Sequence, residues 1–467
     1  MQGTWATSAG PDLHLEVSGP GVRAGLESAL RDAVRGGRLV PGTALPSSRI
    51  LARDLGIARN TVVDAYGQLV AEGWLAARHG SGTWVAERTQ PPAALPSRPP
   101  PAGVPAIRYD LRPGVPDVSV FPRSAWLAAG RRALGQAPAA ALSYTDPRGL
   151  EPLREALAGY LARARGVAVT PDRVIVCAGY AQALELLCRV LRSSGTRKVA
   201  VEAFGVRGHR QIASASGLQL SFLAVDKRGA DTSALSGEGA VVLTPAHQFP
   251  LGVALDPRRR RDVVEWAART GALVIEDDYD GEFRYDRQAV GALQSLASEH
   301  VAYAGTASKS LVPGLRLGWL VPPARLVDEV VAAKSEAGML SSSLDQLALG
   351  EFISSGGYDR QVRRARMGYR QRRDRLIAEL SRRAPHVRVT GIAAGLHALV
   401  RLPDGMAEVE VESDARRRGL ALQGLASFSA DGHEHDPAIV VGYATPPGHA
   451  FSTAVARLCA VLSGSSR

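Results

Sequence analysis

Residues 301–318, VAYAGTASKSLVPGLRLG, decide the fold of the larger part of this 467-residue chain. The apolar run at 301–304 predicts a short buried strand that ends at Gly305, and Lys309 follows it closely. The chain holds 56 basic residues, yet only four of them are lysines. A lysine kept at this strand end suggests chemistry that arginine cannot perform, because a desolvated lysine can lose its proton and form an imine.

Groups that suit a phosphate surround this lysine. Thr306 and Ser308 supply hydroxyls, and Arg316 supplies a planar guanidinium. A lysine imine beside a bound phosphate describes pyridoxal 5′-phosphate. The alternative interpretation is a strand-end lysine that points to solvent.

The sequence around this stretch alternates short apolar runs with helical periods. This alternation predicts an α/β domain with a mainly parallel sheet covered on both faces, and ligands bound at the strand ends. The predicted strands are 174–177, 199–202, 239–243, 273–276, 301–304 and 318–321, and helices are predicted at 181–191 and 257–269.

Two further strand ends carry polar groups. Asp277 could keep a pyridine nitrogen protonated, and the phenol of Tyr279 could bind the ring oxygen of the cofactor; the alternative interpretation is an acidic loop. Tyr180 and Ala181 open a helix directly after a strand, so their backbone amides can receive phosphate.

The first ninety residues predict a small helical unit. Residues 22–34 have a helical period, a short helix capped by Ser47 ends at Gly56, and a third helix opens at Asn60 or Thr61 with apolar residues that include Val63. Two short helices joined in this way have the spacing of a helix-turn-helix, and a hairpin around residues 80–82 would form a wing. The predicted DNA-contacting residues are Arg49, Arg59, Asn60, Thr61, Arg78, His79, Gly80 and Ser81. The alternative is a small helical unit with solvated arginines.

These patterns predict three segments: a DNA-binding domain at 1–88, a proline-rich linker at 89–107 and a cofactor-binding domain at 108–467. One more basic feature is the run 360–383, which holds ten arginines. We interpret it as a solvated helix in preference to a second DNA-binding surface.

Composition and charge limit the kind of partner, the cellular compartment and the kinds of site that we expect. The net charge of +11 favours a polyanionic partner. Three scattered cysteines without metal-ligand spacing indicate a reducing compartment and no metal site. Neither a signal peptide nor an apolar run of membrane-spanning length is evident, so we expect a cytoplasmic protein that does not contact a membrane.

Several motifs resemble a known family. LPSSR, RNTVVDAYGQLVAEGWL and GSGTWV resemble the winged helix-turn-helix of GntR-type bacterial regulators. YTDPRGLEPLREALAGYL, AGYAQALELL, TPAHQFPLG, VIEDDYDGEFRY and GTASKSLVPGLRLGWL resemble the fold type I aminotransferase domain. In this order along the chain, they resemble the MocR family, in which that domain follows a GntR-type winged helix.

The resemblance implies a role for each matching residue. Lys309 would be the Schiff-base lysine, Asp277 the partner of the pyridine nitrogen and Tyr279 the ligand of the ring oxygen. Thr306, Ser308, Arg316 and the amides near Tyr180 and Ala181 would hold the phosphate. Tyr144 would reach the phosphate of a partner subunit, which implies a homodimer with shared cofactor sites, with a domain-swapped arrangement left open.

The chain also departs from aminotransferases. It has no arginine between Arg418 and Arg457, where those enzymes place the residue that binds the substrate carboxylate. Phe204 is the candidate replacement for a ring-stacking tyrosine. We therefore expect a regulator that binds double-stranded operator DNA and a small-molecule effector, with pyridoxal phosphate itself as the effector, as in the PdxR branch. The alternatives are a working aminotransferase, and a regulator that senses an amine or amino acid bound to the cofactor.

Overall fold

In the computed structural model, the described residues are 21–78, 82–87, 107–285, 290–430 and 433–464. The chain divides into two compact units, Met1–Ala102 and Gly103–Arg467. The predicted linker lies almost entirely outside the described residues. No helix in the described part of the chain is long and apolar enough to cross a membrane.

The first unit is three helices and a hairpin around one apolar core. Its third helix begins at Arg59 after Ala58, one residue before the predicted start, so Asn60 and Thr61 lie within the first turn. Val63 is exposed, which corrects the prediction that it faces the core. The elements are α1 Val22–Arg35, α2 Ser48–Leu55, α3 Arg59–Ala71, β1 Leu75–Arg78 and β2 Gly82–Val85, and the two strands pair antiparallel.

The second unit contains short strands and longer helices in alternation. Its strands are β3 Tyr109–Asp110, β4 Ile175–Cys177, β5 Lys198–Glu202, β6 Gln219–Leu223, β7 Val225–Asp226, β8 Gly229–Ala230, β9 Ala240–Leu243, β10 Leu273–Asp277, β11 Val301–Thr306, β12 Gly318–Val321, β13 Arg388–Thr390, β14 Ala398–Arg401, β15 Leu420–Ala421 and β16 Ala438–Val441. Its helices are α4 Arg123–Gln136, α5 Glu151–Arg165, α6 Tyr180–Ser193, α7 Arg207–Ala215, α8 Pro257–Thr270, α9 Val327–Glu336, α10 Ser343–Ser354, α11 Gly357–Arg383, α12 Glu408–Arg417 and α13 Gly448–Gly464.

A seven-stranded sheet organises this unit, in the order β4-β12-β11-β10-β9-β5-β6. The pairs from β11 to β6 are parallel, whereas β12 runs antiparallel to both of its neighbours. Except for the edge strand β6, its strands are buried along nearly their whole length, which explains why they are continuous apolar runs. The prediction of a mainly parallel α/β sheet is confirmed.

A smaller antiparallel sheet, β13-β14-β16, forms a separate core with α11, α12 and α13. The carboxyl ends of β10 and β11 and the loop before β14 all contribute residues to one cavity. The fold therefore brings together side chains that are far apart in the sequence.

Candidate functional sites

The first candidate site is the exposed surface of the helix-turn-helix. The side chains of Arg49, Arg59, Asn60 and Arg78 are exposed, and that of Thr61 is half-buried. Arg49 and Arg59 lie in the first turns of α2 and α3, where backbone amides also favour phosphate. His79, Gly80 and Ser81 lie outside the described residues. The assignment of these residues to DNA contact stays a prediction.

Contacts within the unit fix the orientation of α3. The hydroxyl of Tyr66 donates to the carbonyl oxygen of Pro46 over 3.0 Å, which ties α3 to the segment before α2. The guanidinium of Arg31 on α1 binds both carboxylate oxygens of Glu72, at 2.8 and 2.9 Å. These contacts therefore hold the first turn of α3 in a fixed orientation within the unit.

The second candidate site is a cavity of about 220 Å³ in the second unit. Eight of the nine residues predicted to bind the cofactor line it. Tyr144 is the exception, because its side chain is 96% exposed and is not part of this lining. The complete lining is Gly114, Gly179, Tyr180, Ala181, Val206, His209, Phe249, Asp277, Tyr279, Thr306, Ser308, Lys309, Arg316, Leu396 and His397.

One end of the cavity has the character of an anion site. Arg316 adopts a left-handed backbone conformation with φ of 51°, which is uncommon for a residue other than glycine and is found at functional sites. The hydroxyls of Thr306 and Ser308 are 2.9 Å apart at the end of β11. Helix α6 begins here with Tyr180, so its free amides add positive potential. These groups together can bind a phosphate.

Lys309 lies in the middle of the lining. Its Nζ donates to the carbonyl oxygen of Gly114, and burial lowers the pKa of its ammonium group, although the nearby Asp277 and Asp280 oppose that effect. A lowered pKa increases the fraction of neutral amine that can act as a nucleophile.

Asp277 provides the strongest indication that the cavity binds a ligand. Its carboxylate is buried, and its Oδ1 has no hydrogen-bond partner among the described residues. Burial raises the pKa of this carboxyl well above its ordinary value. A buried carboxylate oxygen without a donor is costly, so the position suits a cationic N–H such as a protonated pyridine nitrogen.

A cluster of polar side chains that the sequence did not predict adjoins this lining. The Nδ1 of His247 is 2.8 Å from Oδ2 of Asp280 and 3.1 Å from the hydroxyl of Tyr279. His397 donates from Nε2 to the carbonyl oxygen of Pro250 over 3.1 Å. Gly395, with φ of 72°, lies so close that a side chain there would collide with His247 and Asp280. The cluster therefore connects the predicted oxygen ligand of the cofactor to a buried acid–imidazole pair.

Two residues of this cluster, His247 and Asp280, could have been predicted from motifs that are recognisable in the sequence. His247 belongs to the motif TPAHQFPLG and Asp280 to VIEDDYDGEFRY, although only other residues of those motifs were assigned roles. His397 and His209, in contrast, belong to no predicted motif. Phe204, the predicted stacking residue, lines a smaller neighbouring cavity of about 60 Å³ instead. Val206, His209 and Phe249 line the larger cavity in its place, and the ring of His209 contacts Tyr180 edge-on at 4.7 Å.

Next to the small sheet, the cavity is lined by Leu396 and His397. Strand β16 is fully buried and places Val440 in a cluster with Phe249, Leu399 and Phe428. Among the described lining residues, Lys309 is the only lysine and Arg316 the only arginine. Burial and the neighbouring His247 lower the pKa of His397 well below its ordinary value, so its imidazole is neutral at physiological pH. The described lining therefore lacks a separate cation for a substrate carboxylate.

A helix-turn-helix unit joined to an α/β unit with a lysine-centred phosphate cavity defines a class of protein, the transcription regulators that carry an aminotransferase-like domain. The chain matches the family models "Bacterial regulatory proteins, gntR family" over residues 23–85 and "Aminotransferase class I and II" over residues 117–428. The chain belongs to the MocR family of such regulators, as its sequence predicts.

Individual relatives agree with this placement. The HTH-type pyridoxine biosynthesis transcriptional regulator PdxR of Corynebacterium glutamicum is 33% identical over 90% of this chain and 91% of its own. The probable rhizopine catabolism regulatory protein MocR of Rhizobium meliloti is 32% identical over 86% of both chains. Among solved structures, the α-aminoadipate aminotransferase LysN of Thermus thermophilus, complexed with N-(5′-phosphopyridoxyl)-L-leucine, has a TM-score of 0.68 and 26% identity over 76% of this chain and 92% of its own. The fold and the chemistry of the cavity confirm the prediction of pyridoxal 5′-phosphate as the cofactor.

Proposed function

We propose that this protein is a transcription regulator that binds operator DNA through its winged helix and responds to pyridoxal 5′-phosphate itself, in control of vitamin B6 synthesis. The observation that carries the proposal is the lining of the cavity. Its lysine and its arginine, Lys309 and Arg316, are both needed for the cofactor, and the rest of the described lining is apolar, hydroxylic, acidic or imidazole. The similarity to the pyridoxine biosynthesis regulator PdxR supports the control of vitamin B6 synthesis.

Each polar group of the cavity has a role in this proposal. Arg316, Thr306, Ser308 and the first turn of α6 would hold the phosphate, and Asp277 would accept a hydrogen bond from the protonated ring nitrogen. Lys309 presents a neutral amine to the aldehyde carbon, because burial lowers its pKa. When bound, the cofactor supplies an aldehyde that condenses with primary amines and a ring that withdraws electrons.

The shortage of basic side chains in the described lining limits what else can bind. An amino acid that entered the cavity would place its carboxylate beside neutral imidazoles and Phe249 without a bidentate charge pair. Free amino acids should therefore add little to the effect of the cofactor.

A second candidate is a transaminase half-reaction, or a sensor of an amine bound to the cofactor. Lys309 and Asp277, the two groups that such chemistry requires, are both present and buried in one cavity. This candidate requires the ligand to bind without an arginine for its carboxylate, and an amine that lacks a carboxylate satisfies that condition best.

We also propose a homodimer. Tyr144 is almost fully exposed, as a residue that contacts the phosphate of a partner subunit would be in an isolated chain. Large apolar side chains are exposed near it in sequence, namely Leu127, Leu134 and Leu142. Exposed apolar residues concentrated in one segment are typical of an interface.

Titration of DNA from the upstream intergenic region at fixed salt tests the proposal. Apo-protein, protein loaded with pyridoxal phosphate, and loaded protein with added α- and γ-amino acids should be compared. We expect operator affinity to differ between the apo and loaded forms, and amino acids to change it little. Equal affinity of the two forms, with a strong response to one amino acid, would refute the cofactor as effector and favour an amino-acid sensor.

A further inference from the structure

Helix α11, Gly357–Arg383, contributes one face to the interior of the second unit and leaves the other in solvent. Tyr358 and Val362 pack in the core beside the large sheet, and Tyr369, Leu376 and Leu380 pack in the core of the small sheet. The helix is therefore held firmly along its length, with a fixed outer surface.

This helix also carries most of the net positive charge of the chain. Residues 1–90 hold nine arginines and eight acidic residues, a net charge of +1, so +10 of the total +11 lies beyond them. Helix α11 alone holds ten arginines and three acidic residues, a net charge of +7. The unit that resembles a DNA-binding domain is thus nearly neutral, and the attraction to a polyanion is concentrated on one helix of the other unit.

The outward arginines of α11 form a stripe. At about 100° per residue, Arg360, Arg364, Arg375 and Arg382 fall within a sector of about 60°, and Arg363 lies about 60° to one side. All five side chains are exposed. The stripe from Arg360 to Arg382 is about 33 Å long, since an α-helix rises 1.5 Å per residue. That length is close to one turn of duplex DNA, roughly 34 Å.

Three of these arginines are free to bind an external anion. Within the described ranges, Arg363, Arg364 and Arg375 make no hydrogen bond, ion pair or ring contact. By comparison, Arg382 is paired with Glu379 at 2.8 Å, and Arg372 with Asp117 at 2.7 Å. Arginines retained on an exposed face without a carboxylate partner do little for the stability of the fold.

From this geometry we propose that the outer face of α11 is a second DNA-contacting surface that binds the phosphate backbone of duplex DNA next to the operator. This proposal rests on the proposed function, because it assumes that the winged helix delivers the protein to DNA. Arginine side chains on such a face neutralise phosphates and release counterions, so they add affinity without reading sequence. The sequence alone favours a solvated helix; the exposed stripe and its unpaired arginines favour DNA contact.

The test compares two triple variants of the full-length, cofactor-loaded protein. Arg363→Gln/Arg364→Gln/Arg375→Gln removes the unpaired charges of α11 and retains good helix formers. Arg258→Gln/Arg261→Gln/Arg269→Gln removes three exposed arginines of α8, whose side chains make no hydrogen bond or ion pair among the described residues. Both variants change the net charge by the same amount. Affinity for a duplex with operator and flanks should be measured at several salt concentrations.

We expect the α11 variant to reduce the slope of log affinity against log salt by about two to three, because each lost phosphate contact removes about 0.9. The α8 variant should retain the wild-type slope. A slope unchanged in the α11 variant, or reduced equally in both, would overturn the proposal. Arg59→Ala distinguishes this failure from failure of the proposed function: if it weakens binding while the α11 variant does not, the winged helix binds DNA and only the second surface is wrong. If the wild type binds no upstream duplex, the proposed function itself fails.

Discussion

Two adjacent buried aspartates should respond in opposite ways to the same substitution. Asp277 has an oxygen without a donor. Asp278 is bound on both oxygens by Arg165, at 2.6 and 3.0 Å, and accepts from the hydroxyl of Tyr303 at 2.8 Å. We predict that Asp277→Asn stabilises the apo-protein, whereas Asp278→Asn destabilises it.

The expected change in the free energy of unfolding depends on what each carboxylate contacts. Asparagine also leaves a polar group without a partner but cannot ionise, so Asp277→Asn removes only the penalty for a buried carboxylate; at about 1.4 kcal/mol for each unit of a raised pKa, the free energy of unfolding should rise by at least about 1 kcal/mol at high pH. Loss of one partner of a buried ion pair costs about 3–5 kcal/mol, which sets the expected loss for Asp278→Asn. Because the folded pKa of Asp277 is raised, its penalty is absent below the unfolded pKa and grows as the pH rises through the folded pKa. The gain from Asp277→Asn should therefore be larger at pH 8 than at pH 5.

For cofactor binding, the expected effect of Asp277→Asn has the opposite sign: the substitution should be unfavourable. A hydrogen bond to a charged group contributes about 1.5–3 kcal/mol, so Asp277→Asn should weaken cofactor binding by roughly 10- to 150-fold. Thermal unfolding of the apo-proteins at pH 5 and pH 8, together with absorbance titration of the cofactor, measures both effects. The reasoning is refuted if Asp277→Asn destabilises the apo-protein as Asp278→Asn does, or leaves cofactor affinity unchanged.

Three further predictions test other parts of the site. Lys309→Ala should abolish the visible absorbance and the borohydride-reducible adduct of bound pyridoxal phosphate; an adduct that persists would mean that another lysine is the anchor. Arg59→Ala should weaken operator binding and lower its salt slope by about one, because one phosphate contact is lost, whereas Arg23→Ala on α1 should not; equal effects would contradict the assignment of α3. Burial raises the pKa of Glu202 to about 7, so ionisation of this group destabilises the fold as pH rises from about 4.5 through 7, and Glu202→Gln should raise the apo-protein's melting temperature at pH 8 more than at pH 5. An identical gain at both pH values would show that the carboxyl of Glu202 does not titrate in this range.

Much of the cavity could be predicted because parallel strands deliver residues to one edge of a sheet. Lys309, Asp277 and Arg316 follow recognisable strands, and each lies in the lining where the pattern predicts. The contact of His397 with His247 could not be predicted, because His397 lies about 150 residues further along the chain, directly before a strand of the smaller sheet. Neither local period nor composition indicates that the two rings meet.

Two smaller differences between the sequence-based predictions and the structure have local causes. Val63 was predicted to face the core from its apolar character alone, but Val62, Ala65, Tyr66 and Leu69 already fill the inward side of α3. Phe204 lies in the neighbouring cavity because β5 ends at Glu202 and the chain turns away before α7 begins. Both errors concern the direction of a side chain, which depends on the packing of several elements.

The most direct test of a cofactor-responsive regulator is reciprocity between its two ligands. If pyridoxal phosphate changes operator affinity by some factor, operator DNA must change cofactor affinity by the same factor, and coupled systems typically show about 5- to 150-fold. Cofactor affinity should therefore be measured by absorbance with and without saturating operator duplex, and compared with operator affinity of the apo and loaded protein in the same buffer. We predict one common factor clearly different from one. A factor of one in both measurements would contradict the account, because the cofactor would then bind without regulating DNA.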